Sequence, residues 1–141
     1  MAIKRTALDK VVSDLVRARV DWICERCEKY FPEGSGRAGL HCSHFYGRGS
    51  KSVRYFFSNL SSFCYGCHKY MERSRDEYTA FKKKELGETA FDELVRRANA
   101  PRKYTKADIK DMTKHYKAQL KYIERRRANG EQGYLPVVDW E

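Results

Sequence analysis

No stretch of this 141-residue chain stays apolar long enough to cross a membrane, so a helical membrane anchor is excluded. No internal repeat or low-complexity segment occurs, which excludes a solenoid or a linker-like chain and points to one domain with appendages. No secretory leader is evident, and the five cysteines are therefore expected in a reducing compartment, in a soluble intracellular protein. Acidic residues are the minority, 19 against 29 Lys and Arg, and the formal charge of +10 favours a polyanionic partner. That imbalance is local. Residues 102–128 hold ten basic and three acidic side chains, whereas residues 129–141 hold three acidic and no basic ones.

What is present is a set of metal-ligand spacings. Cys24-x2-Cys27 and Cys64-x2-Cys67 can each wrap backbone around an ion and aim two sulfurs at it, completing the four-thiolate tetrahedron that zinc favours. A disulfide or redox Cys-x-x-Cys is the alternative, but neither pair sits in a βαβ pattern. Cys42 is left over and is expected to face the core as a small apolar side chain.

Periodicity places these motifs. Leu8, Val11, Val12, Leu15 and Val16 predict an amphipathic helix over roughly 6–20. The first cysteine pair then leads into the turn-rich Pro32–Gly36 segment, and residues 38–45 and 60–64 read as two short strands. Their connecting loop holds Gly47-Arg48-Gly49-Ser50-Lys51, and a helix is expected from near Cys67 towards Leu86. Beyond Gly87, the residues Phe91, Leu94, Val95 and Ala98 predict a short helix ended by Pro101. A longer one follows, N-capped by Thr105 with Asp108 three residues on, and ended by Gly130. Its apolar row, Ile109, Met112, Tyr116, Leu120 and Ile123, suits docking on the domain or pairing with a second copy equally well. Four segments result: an N-terminal helix (1–22), a zinc core (23–86), a basic helical extension (87–128) and a tail (129–141), the last expected to be mobile or clipped onto a neighbour.

Three further residues fit hydrolysis of a phosphodiester. His44 is the candidate base, because a neutral imidazole can take a proton from water near neutral pH. Asn59, just before the second strand, could orient the His44 ring through its amide oxygen. His68, directly after the last zinc cysteine, could turn one nitrogen back towards the hairpin as a ligand for a catalytic cation. Singly, each has a blander reading as a core, surface or turn-capping residue; their ordered spacing carries the inference. Arg48, Lys51, Arg54, Lys82, Lys83, Lys84, Arg125, Arg126 and Arg127 are the candidate phosphate contacts, and Tyr46, Tyr55, Phe56 and Phe57 are either core or base-stacking residues.

At these positions the chain resembles the His-Asn-His nuclease superfamily and, more closely, the NinG (Rap) recombination proteins of lambdoid phages. The likeness runs over roughly residues 20–127, through Ser43-His44-Phe45-Tyr46, Val53-Arg54-Tyr55-Phe56, Asn59-Leu60, Gly87-Glu88-Thr89-Ala90-Phe91 and Lys103-Tyr104-Thr105. It implies an α+β fold, a small zinc-bound treble-clef or ββα-metal core with flanking α-helices. It implies cleavage of branched DNA such as Holliday junctions and displacement loops, structural Zn²⁺, catalytic Mg²⁺ or Mn²⁺, and work in the cytoplasm of a phage's bacterial host. A second copy and phage or host recombination proteins are further partners it leaves open. Ser43 departs from the superfamily, where Asp or His precedes the base; NinG-like proteins place the ligand three positions earlier, which His41 fits. Since side chains alternate along a strand, His41 and His44 are expected to converge only if the strand bulges or ends between them. His68 stands where the family often has Asn. The rivals are a noncatalytic zinc module that binds DNA or a recombination partner, and a homing or restriction-type nuclease that cuts linear duplex.

Overall fold

The computed structural model describes residues 3–141. Helix α1 (Ala7–Arg19) starts where Thr6 and Asp9 form a reciprocal capping box, and its predicted row from Leu8 to Val16 is buried. Asp9 does more than cap. Both its oxygens accept from Arg54, Oδ1 from Nε at 3.0 Å and Oδ2 from Nη2 at 2.5 Å, which pins α1 to the hairpin loop. Burial pushes the Asp9 carboxyl up, but hydrogen bonds from Arg54 and Thr6 outweigh it and hold the group below its usual range.

The hairpin consists of β1 (Leu40–His44) and β2 (Leu60–Cys64), antiparallel in an unbroken register from Leu40↔Cys64 to His44↔Leu60. The connecting loop is closed by Asn59. Its Oδ1 accepts from Tyr46 N at 2.8 Å, and its Nδ2 donates to Tyr46 O at 3.0 Å and Val53 O at 3.1 Å. β2 runs directly into α2 (Tyr65–Arg73), with Cys64 at the N-cap. The single helix expected from Cys67 to Leu86 is instead two, because Ser74 (φ −120, ψ 74) breaks it; α3 spans Arg75–Ala98. Gly87 kinks α3 with φ +80, a conformation open to glycine, so the predicted break lies there but the helix resumes at once.

α4 (Lys106–Ala128) carries the predicted Thr105–Asp108 capping box and lies along α1. Met112, Tyr116 and Ile123 are buried in that contact, worth about 2 kcal/mol each by apolar transfer. Ile109 and Leu120 of the predicted row are partly buried against the same cluster, so the row docks on its own chain. The tail also corrects its expectation. Leu135 is buried and its N–H donates to Arg19 O at 2.9 Å, Asp139 accepts from Phe57 N at 2.8 Å, and Trp140 N donates to Tyr116 Oη at 3.0 Å. The clip therefore closes on its own chain.

Two apolar clusters result, one between α1, α4 and the tail, the other around the cysteines, α2 and α3. The hairpin is the wall they share, presenting Cys42 to the first and Leu40 and Phe63 to the second. Cys42 packs as expected, its thiol pushed up to about 11 by burial. Among the described residues no helix is long and apolar enough to cross a membrane.

Candidate metal centre and histidine cleft

The first cysteine pair sits in a tight knuckle. Cys24 N donates to Lys29 O and Glu28 N to Cys24 O, both at 2.9 Å, while Ile23 bridges Tyr30. Glu28 at φ +62 completes the turn. The second pair lies at the start of α2, where the helix's positive end favours thiolates. One ligand atom from each of Cys24, Cys27, Cys64 and Cys67 falls within 4.8 Å of all the others. The 3.9 Å between Cys27 Sγ and Cys64 Sγ matches the roughly 3.8 Å edge of a zinc–thiolate tetrahedron and is far too long for a disulfide. Cys64 N and Arg26 Nη1 donate to Cys24 Sγ and Cys67 Sγ at 3.3 and 3.5 Å, support suited to thiolates. Burial and the neighbouring sulfurs push the Cys67 thiol up to about 12; a bound cation reverses that preference. The four cysteines could thus hold Zn²⁺.

On the other side of the hairpin a cleft of about 1000 Å³ opens between α1, β1 and α4, and His41, His44 and His68 all line it. No bulge is needed to bring them together. His41 and His44 line the same cleft from a strand whose register with β2 is unbroken.

His41 and His68 approach most closely, with Nδ1 to Nδ1 at 3.2 Å. Each ring is held from behind: His41 Nε2 donates to Arg37 O at 3.0 Å, and His68 Nε2 pairs with Glu72 Oε1 at 2.9 Å. A carbonyl can only accept, so in the neutral ring the Nδ1 of His41 carries the lone pair; the Glu72 carboxylate imposes the same tautomer on His68. Burial also pushes His68 down, towards the neutral form. Two lone pairs facing one another at this distance suit a shared cation, since imidazole nitrogens on one ion lie about 3 Å apart. Glu72 was missed in the sequence, although its spacing of four from His68 on one helix was a readable signal.

His44 ends β1. Burial, followed by the nearby Arg48 guanidinium, pushes its imidazole down to about 4. The ring is therefore neutral at physiological pH, with a lone pair available. The same shift has a consequence for stability. The unfolded chain binds this proton near 6.5 while the folded chain does not, so stability is lost as pH falls from 6.5 towards 4. At about pH 5.5 this amounts to roughly 1 kcal/mol. A His44→Gln variant should lack that increment of acid sensitivity, as urea melts at about pH 7 and 5.5 would read; the same pH response in both proteins would refute it.

The candidate phosphate contacts divide sharply. Arg48 and Arg127 line the cleft, Lys51, Lys83, Lys84 and Arg125 are exposed, and Lys82 and Arg54 must be corrected. Lys82 is fully buried, donating to Leu60 O and Ser61 Oγ, and Arg54 is buried against Asp9, so neither can meet a phosphate. Arg126 is paired with Glu131; Arg127 is paired with Asp21 and donates to Ala18 O. Asn59 is corrected too: its amide is spent on the loop and does not orient the His44 ring. Tyr55 and Phe57 are core, whereas Tyr46 and Phe56 are half-buried. The cleft brings in cations the sequence did not single out. Arg5 and Arg37 line it and, like Arg48, have no ion-pair partner among the described residues. The acids of α1 are already neutralised, Asp9 by Arg54 and Asp14 by Lys10 and Arg17.

A family model described as "Bacteriophage Lambda NinG protein" matches residues 5–126. No curated protein and no solved structure matches the chain.

Proposed function

Since the chain belongs to the NinG family, we propose that it is a metal-dependent DNA endonuclease of phage recombination, cutting branched DNA in the histidine cleft. The observation that carries this reading is the His41–His68 pair. Two ring nitrogens 3.2 Å apart, each backed by an outer partner, lie in one cleft with a neutral third imidazole and three arginines that have no ion-pair partner among the described residues.

His41 and His68 would hold Mg²⁺ or Mn²⁺, which when bound neutralises charge developing on the leaving 3′ oxygen. With two protein ligands the ion is weakly held without DNA, and imidazole is a softer donor than the oxygens Mg²⁺ prefers, so stronger support by Mn²⁺ is expected. Arg48, Arg37 and Arg5 bind the scissile phosphate and its neighbours. His44 accepts the proton of the attacking water. At about 4 it is a weak base in the free protein, but an incoming phosphate offsets the Arg48 field and raises it towards neutrality. Asn59 acts at one remove, fixing the loop that carries Arg48 between its two ends. Zn²⁺ in the four-cysteine site would be architectural.

The test is a panel of linear duplex, single strand, flap and four-way junction, incubated with Mg²⁺ or Mn²⁺. Cleavage of branched substrates in preference to linear duplex, leaving 5′ phosphates, supports the proposal. Cutting at one sequence in linear duplex would favour a restriction-type enzyme, and binding without cleavage a noncatalytic zinc module.

A further inference from the structure

We infer that α4 carries a second DNA track outside the histidine cleft, a row of lysines that takes the phosphate backbone of one duplex arm. α4 is a 23-residue helix whose circumference is almost fully assigned. Met112, Tyr116 and Ile123 face the body. The next flank holds the tail: Trp140 Nε1 donates to Asp111 at 2.7 Å, His115 Nε2 donates to Val138 O at 2.7 Å, and Val138 N donates to Gln119 at 3.4 Å.

The remaining face carries Lys110, Lys114, Lys117 and Lys121. At 100° per residue these four fall within about 60° of one another and extend over about 16 Å of helix. All are exposed, none has an ion-pair partner among the described residues, and together with Thr113 and Ala118 they line one shallow groove. Like charges three and four residues apart repel, so this face lowers the stability of its own helix unless a polyanion covers it. Elsewhere the surface mixes signs, as in Glu93 with Arg96 and Arg97 or Arg126 with Glu131.

A lysine is a flexible point charge that meets phosphates without reading bases, so the track is sequence-independent. Its length matches the phosphates of about five nucleotides of one strand in a duplex. α4 also gives Glu124 and Arg127 to the cleft wall, so an arm held by the row and a strand in the cleft are kept in register by one rigid helix. Two tracks on one chain let it grip two arms of a branch point without a second copy. The choice of DNA as the polyanion rests on the nuclease reading above.

The experiment uses the His44→Ala background, so that substrates survive, and measures affinity for a labelled linear duplex and four-way junction against salt concentration. Changing Lys110, Lys114, Lys117 and Lys121 to Gln together should make the slope of log affinity against log salt shallower by roughly 3, with at least a tenfold loss at about 0.1 M salt. The same four positions changed to Arg should restore both, which separates charge from helix damage. An unchanged slope overturns the track, and tighter binding of polyglutamate than of duplex would assign the face to an acidic protein instead. Should the native chain cut none of the substrates, the nuclease reading fails while the salt slope continues to decide the lysine row.

Discussion

Replacing His44 with alanine should slow phosphodiester cleavage by roughly 10³-fold while leaving DNA affinity within about twofold. The separation follows from the division of labour in the cleft. On the proposed reading affinity comes from Arg48, Arg37, Arg5 and the outer cations, which the substitution leaves intact, whereas His44 is the neutral imidazole free to take up a proton. His41 and His68 are already committed through their outer nitrogens to Arg37 and Glu72. His68→Ala should behave differently. It removes one of the two facing nitrogens, so its defect should shrink as Mn²⁺ is raised, whereas the His44→Ala defect should not respond to cation concentration. Full cleavage by His44→Ala would remove His44 as the base, whereas a native chain that binds without cutting would be a DNA-binding zinc module.

The second large effect concerns the four cysteines. Cys64→Ser, or extraction of the metal by a strong chelator, should unfold the region from the knuckle to the end of α2 and abolish binding and cleavage together. A structural zinc contributes on the order of 10 kcal/mol, comparable to the entire 5–15 kcal/mol by which a domain is stable. Without a cation, four sulfurs within 4.8 Å must crowd together as thiols, two of them, Cys24 and Cys67, buried in the second cluster. Native mass spectrometry should show one zinc per folded chain, lost in step with the near-ultraviolet circular dichroism. A metal-free chain with native dichroism would show that the cysteines merely pack.

The elements with strong local signals were legible. The α1 row, the Thr105–Asp108 capping box, the two strands and the cysteine spacing each follow from a few neighbouring residues, and the structure has them within a residue or two. What failed depended on partners far along the chain. Lys82 sits in a run of three lysines that reads as a solvated face, but the helical turn points it at Leu60 O and Ser61, while Lys83 and Lys84 face solvent. Arg54 is in a glycine- and lysine-rich loop, and only its meeting with Asp9, 45 positions earlier, buries it. Asn59 was singled out, but no periodicity says whether an amide reaches forward to a histidine or back to Tyr46 and Val53. That His41 and His44 line one cleft was obscured by strand alternation, which places them on opposite faces. The lysine row of α4 was countable as charge, but only the positions of the body and the tail reveal which cations stay uncovered.

The tail clip also sets an order of events during synthesis. Residues that close the cysteine-centred half lie between Trp22 and Ala98, so that half can form while later segments are still being made. α1 leaves the ribosome first, yet its apolar stripe is covered by α4, and Arg19 O waits for an N–H from Leu135, 116 positions downstream. A nascent chain therefore exposes that stripe through most of its elongation, and the cleft gains its α1 and α4 walls only after translation has passed them. A half-made polypeptide can bring its four cysteines together, but the cleft that His41, His44 and His68 line is not yet enclosed.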